Sequence, residues 1–168
     1  MYPAGCGITV QGRLSDGVPG SNNTIRGNII DGTIAGPASV TNGILVSKQY
    51  GHIDPPSGTI IEDNEILNWL SPRKCGFGIG IVYAPNTIIR NNRIHHNGSD
   101  NNVDLSAGIG IDRAAGTQVI NNEIWGNGTT GIYIVNRPGG SVAGTLIECN
   151  NIHDNQHGVY LSDIDSTD

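Results

Sequence analysis

The chain has 168 residues, and its 9 Lys and Arg against 15 Asp and Glu leave a formal net charge of −6, which argues against sequence-independent binding to phosphate backbones. Gly (25), Asn (19) and Ile (24) dominate while Leu (7), Glu (4), Lys (2) and Phe (1) are scarce, the reverse of a helical protein's bias. Only 14% of residues are charged, and β-branched residues run through the whole length, so the disordered class is excluded and strands are expected.

In chain order, Met1–Gly5 has neither the basic start nor the apolar run of a signal peptide, and no window approaches a membrane span. A Gly-apolar-x-apolar unit then begins at Gly7-Ile8-Thr9-Val10 and returns at Gly43-Ile44, Gly78-Ile79, Gly108-Ile109, Gly131-Ile132 and Gly158-Val159. An Asn-x-Ile unit follows each of the first five, at Asn28, Asn64, Asn92, Asn122 and Asn150, with spacings of 36, 28, 30 and 28 residues. Three residues before each of these Asn lies another apolar position: Ile25, Ile61, Ile89, Val119 and Ile147. Each period thus carries three short pieces with the two-residue alternation of pleated strands. Such a unit cannot bury its apolar face alone, whereas stacked periods place Ile over Ile and build a continuous core. The spacing predicts an all-β fold, a parallel β-helix of about six coils with three short strands per coil, spanning residues 1–168 as a single domain. Leucine-rich repeats would need several Leu per period, and propeller blades would need about forty residues. Ser162–Asp168 reads as an acidic tail. With no visible cap at either end, the chain is expected to be an excerpt of a longer β-helix or to self-associate through uncapped ends.

Cys6, Cys75 and Cys149 form no CxxC pair, so neither a zinc site nor a disulfide framework is expected. Asn97, Asn127 and Asn155 share one repeat position at a sharp corner; Asn tolerates the left-handed conformation there, and its amide can bond to the same residue in the next coil. The longer periods carry extra segments, Arg13–Ser21, Ala35–Thr41, Gln49–Ser57, Leu70–Gly76, Ser99–Leu105 and Arg137–Ala143, where function is expected to sit.

The GI-x-I units alternating with N-x-I resemble the right-handed parallel β-helix proteins of the pectin-lyase-like superfamily, which include pectate lyases, mannuronan C-5 epimerases and NosD-type proteins. The resemblance covers residues 5–164 and implies carbohydrate chemistry: a polysaccharide lyase or uronate epimerase, extracellular or periplasmic, acting on an acidic polysaccharide. In the epimerases a GI-x-I strand ends in Asp-Pro-His with a Tyr between; here Gly108-Ile109-Gly110-Ile111-Asp112-Arg113-Ala114 aligns with it, and only Asp112 survives.

A substitute set emerges if the units stack, because Lys48, Tyr83, Arg113, Asn136 and Asp163 each fall five residues after their repeat's Gly. Asp112 and Arg137 flank that row. Tyr83, Asp112, Arg113 and Arg137 are the candidate catalytic residues, with Arg to neutralise a uronate carboxylate and Tyr to move a proton; Lys48 and Asn136 are candidate substrate contacts. His95, Trp125 and His153 share another position and form a candidate sugar-contacting column, with His96 and Asp154 at the next. Arg90, Arg93, Arg113 and Arg137, in consecutive coils, are expected to gather charge on one face. No cofactor is required by the sequence and no metal site is assigned, although the oxygen-rich Asp100–Asp104 segment makes Ca2+ possible. The expected partner is a polysaccharide, with no nucleic acid and no membrane. The alternative is a non-catalytic polysaccharide-binding or structural repeat segment of a larger surface, tailspike or adhesin-like protein.

Overall fold

A computed structural model of the protein describes residues 5–12, 20–33, 41–48, 55–70, 76–98 and 106–163. The chain winds through three strands per coil. The first coil holds β1 (Cys6–Gly12), β2 (Thr24–Arg26) and β3 (Ile29–Asp31), and the second β4 (Thr41–Lys48), β5 (Ile60–Glu62) and β6 (Glu65–Leu67). The third holds β7 (Gly76–Val82), β8 (Ile88–Arg90) and β9 (Arg93–His95); the fourth, β10 (Ser106–Asp112), β11 (Gln118–Ile120) and β12 (Glu123–Trp125). The fifth holds β13 (Thr130–Asn136), β14 (Leu146–Glu148) and β15 (Asn151–His153), and β16 (His157–Asp163) opens a sixth. Ser162 and Asp163, expected to begin a tail, are instead the last residues of β16; residues 164–168 lie outside the described set.

Each strand pairs in parallel with its counterpart one coil on, giving a six-stranded sheet A (β1, β4, β7, β10, β13, β16) and five-stranded sheets B (β2, β5, β8, β11, β14) and C (β3, β6, β9, β12, β15). The register is the one the repeat demands: Ile44 pairs with Ile79, Ile79 with Ile109, and Ile109 with Ile132 in sheet A; Ile61 with Ile89 in sheet B; Ile66 with Ile94 in sheet C. Strands stack about 4.8 Å apart, so each apolar position becomes a column of like side chains. Ile44, Ile61, Ile66, Ile79, Ile89, Ile94, Ile109, Ile124 and Ile132 are wholly buried in it. Each contributes on the order of 1.5–3 kcal/mol.

Two Asn ladders run inside the corners. Nδ2 of Asn28, Asn64, Asn92 and Asn122 each donates to Oδ1 of the next Asn in the series, at 2.9–3.0 Å, ending on Asn150. The second ladder runs Asn97 to Asn127 to Asn155. The left-handed conformation expected at the ladder Asn belongs to the residue before it: Asp63, Asn91, Asn121 and Cys149 in one series, and His96, Gly126 and Asp154 in the other, all at φ of 52–59°. That residue turns the chain, which swings the following side chain inward beneath the corner, where backbone carbonyls need a donor. Trp69 holds the ladder position one coil before Asn97: its indole Nε1–H donates to Ile30 O at 3.1 Å, as the Asn97 amide donates to Ile66 O.

On the outer face of sheet B, Glu62 is clamped between Arg26 Nε and Arg90 Nε, both at 2.6 Å. Hydrogen bonds from Arg90 and Arg26 hold its carboxyl below the ordinary carboxylate range. A depressed folded-state value means stability that is present at neutral pH and lost as pH falls through that range and below. The urea midpoint should therefore drop on acidification, and Glu62→Gln should flatten that dependence. An equally steep profile in the variant would assign the acid sensitivity to other carboxylates.

Candidate functional site

All six inserted segments adjoin a sheet A strand: three lie between sheets C and A, and three between sheets A and B. Sheets B and C are joined by two-residue corners, such as Gly27-Asn28 and Asn91-Asn92. In chain order, every inserted segment is therefore a neighbour of sheet A.

That face carries a cavity of about 310 Å³ lined by Leu45, Phe77, Gly110, Tyr133, Val135 and, on its rim, Asn42, Ser47, Asp112, Arg113 and Arg137. It exists because the x of GI-x-I points outward and is Gly at positions 80 and 110 but Leu45 and Tyr133 on either side. Gly110 leaves room for the Phe77 ring that crosses it, since a Cβ there would lie 2.6 Å from that ring and push it aside. Ala107, Tyr133 and Val135 are buried on this outer face and make a second, smaller apolar cluster with Phe77.

At the ends of β7 and β10 the row expected from the repeat comes together. Arg113 donates to both oxygens of Asp112, Nε to Oδ1 at 2.8 Å and Nη2 to Oδ2 at 2.7 Å. Its Nη1 donates to the Tyr83 hydroxyl. The guanidinium carbon sits 4.0 Å from the Tyr83 ring centroid, and Lys48 Nζ sits 5.7 Å from it. Arg137 Nη1 reaches Asp112 Oδ2 at 3.1 Å. Burial works against the Arg113 charge, but hydrogen bonding and charge from Asp112, with Tyr83, hold its guanidinium above its ordinary value. The chain after Arg137 folds over this group: a Cβ on Gly140 would come within 2.2 Å of Arg113 Cβ. Tyr83 and Arg113 both take positive φ, 51° and 52°. For bulky side chains that conformation costs on the order of 1–3 kcal/mol each.

Asn136 shares the backbone register, yet its side chain goes elsewhere. It lines a separate cavity of about 330 Å³ with Ile134, Ser141, Val142 and Leu161, and its Oδ1 is buried without a hydrogen-bond partner among the described residues. The Asp163 side chain and the Asp100–Asp104 segment lie outside the described residues. The four arginines expected on one face divide among three: Arg90 lies on sheet B with Glu62, Arg93 on sheet C with Glu65, and only Arg113 and Arg137 share a site. Consecutive coils fix height along the rod, whereas the strand in which a residue falls fixes its side.

On sheet C, His95, Trp125 and His153 form the expected column. His95 stacks on Trp125 at 4.1 Å and 17°, and Trp125 on His153 at 5.9 Å and 6°. The rings meet face to face within the column, and His153, on the last strand of sheet C, is 39% exposed. Sequence reasoning missed the groove floor, Leu45, Phe77, Tyr133 and Val135, although their outward alternation was the signal that could have found it.

A model of the family described as right handed beta helix region matches residues 18–166. The chain belongs to this family. Its winding is right-handed, with three strands per coil. No curated protein matches the chain. In this right-handed β-helix protein, core and ladder residues account for the repeat itself, and the groove on sheet A is built from the residues that break it.

Proposed function

We propose that this β-helix protein acts on an acidic polysaccharide as a lyase or uronate epimerase, in the groove on the outer face of sheet A. One observation carries the reading: Lys48, Arg113 and Arg137 surround a single carboxylate, Asp112, and a phenol, Tyr83, beside an apolar floor. The excess positive charge suits a uronate carboxylate, and Phe77 and Tyr133 suit the C–H face of a pyranose.

Both reactions begin by taking the proton from the carbon next to the uronate carboxyl, which puts negative charge on that carboxylate. Arg137, whose side chain is 34% exposed and which touches Asp112 through one nitrogen, supplies the neutralising charge. Asp112 has both oxygens occupied, so its part is to hold Arg113. Arg113 holds the Tyr83 oxygen, which, once its own proton has gone to solvent, takes the proton from that carbon and passes it to the departing glycosidic oxygen in elimination, whereas in epimerisation water returns a proton to the opposite face of the carbon. Calcium as a further charge neutraliser and an extracellular or periplasmic location belong to the same proposal.

The test is incubation with pectate, alginate and other uronate polymers, with and without calcium, reading ultraviolet absorbance for unsaturated ends and NMR for epimerised residues. Turnover should fall by about 10²-fold or more in Tyr83→Phe and in Arg113→Ala. A second reading, a non-catalytic polysaccharide-binding segment, is favoured by the way Asp112 and Tyr83 occupy the Arg113 donors. Binding without turnover on every polymer, and little change in either variant, would select it.

A further inference from the structure

A second chemical cluster lies on sheet C, outside the groove. Glu65 Oε1, on β6, accepts from Arg93 Nη1 at 2.9 Å and lies 3.2 Å from His95 Nε2. His95 Nδ1 in turn lies 2.8 Å from His96 Nδ1. His95 is 8% exposed, stacked on Trp125 and edge-on to His96 at 84°. His96 is exposed and sits at φ 53° on the corner after β9.

With His95 neutral, these distances imply where the protons go. An oxygen already accepting from Arg93 can only accept from His95 as well, so the hydrogen in that contact is on His95 Nε2. A neutral His95 then has a bare Nδ1, and the hydrogen in the 2.8 Å contact belongs to His96 Nδ1. His96 Nε2 is left with a free lone pair. The neighbouring corner residue is Gly126, where a Cβ would lie 3.3 Å from that atom, so glycine keeps it open.

We propose that Glu65, His95 and His96 form a carboxylate–imidazole–imidazole relay whose working atom, His96 Nε2, is a general base toward a hydroxyl group, that of water or of a carbohydrate. The order follows the logic of a carboxylate orienting one base, with a second imidazole as the extension. As His96 takes a proton, the charge is stabilised through neutral His95 by Glu65. The charged and titratable groups around the relay are Arg93 on the same strand as His95, Glu123 on β12, and His153 with its partner Asp154 on and after β15.

The probe is p-nitrophenyl acetate. His96 Nε2 takes a proton from water as the water oxygen bonds to the acetyl carbon; the ester C–O bond breaks, p-nitrophenolate leaves, and the imidazolium returns its proton to solvent. Long-range 1H–15N NMR should show His96 protonated on Nδ1 alone and His95 on Nε2. Hydrolysis should fall by about 10²-fold in His96→Asn, which keeps a residue suited to positive φ. Glu65→Gln retains an acceptor oxygen but not the charge, so it should preserve the His96 tautomer and slow hydrolysis about tenfold. His157→Gln, at an exposed histidine outside the relay, should hydrolyse like the parent. A proton on His96 Nε2, or a His96→Asn rate equal to the parent's, would overturn the relay and leave the reading of the groove untouched. The tautomer is measured in the parent protein, so the outcome does not depend on how well a variant folds.

Discussion

Asn92→Ala should lower the free energy of unfolding by about 3–5 kcal/mol, read from urea denaturation. Asn92 is 1% exposed. Its Nδ2 donates to Ile61 O, Arg90 O and Asn122 Oδ1 at 2.9–3.0 Å. Its Oδ1 accepts from both the backbone N–H and Nδ2 of Asn64 at 3.0 Å. Removing the amide strands groups in three coils at once, and each unsatisfied buried group costs about 1–3 kcal/mol before relaxation. Asn28, at the first rung and half-buried, bonds to Arg26 O at a solvent-exposed position, so Asn28→Ala should cost clearly less. Equal losses at the two positions would mean that the ladder does not act as a connected unit.

Trp69→Ala should be comparably damaging, at about 3–5 kcal/mol. The indole fills the space left by three glycines: Cβ atoms on Gly7, Gly32 and Gly43 would come within 2.9–3.1 Å of it. Trp69→Asn should recover part of the loss, because an Asn amide can donate to Ile30 O as Asn97 and Asn127 donate to their own carbonyls. If Asn is no better than Ala there, the indole acts through volume alone. The same midpoint measurement separates these outcomes.

The Trp69 substitution also marks where sequence reading ends. Trp69 falls one period before Asn97, but a repeat search discards it because the residue types differ. The equivalence appears only when the indole N–H is found where an amide N–H should be. His96 was similarly placed in a column with Asp154, yet its significance depends on Glu65, thirty-one positions earlier on another strand.

By itself the sequence determined the fold, its three strands per coil, the register and the identity of the core, because a coil that pairs only with its neighbours writes each contact at a fixed period. It also determined the row that joins Tyr83 and Arg113. Tertiary structure alone decided which face carries the groove, that Asn136 turns away from Tyr83, and that the four arginines divide among three faces. A period specifies height and backbone register, but side-chain direction at a corner depends on the local φ and on what the next coil leaves open. Gly110 under Phe77 and Gly126 beside His96 are the two places where that opening shapes a site.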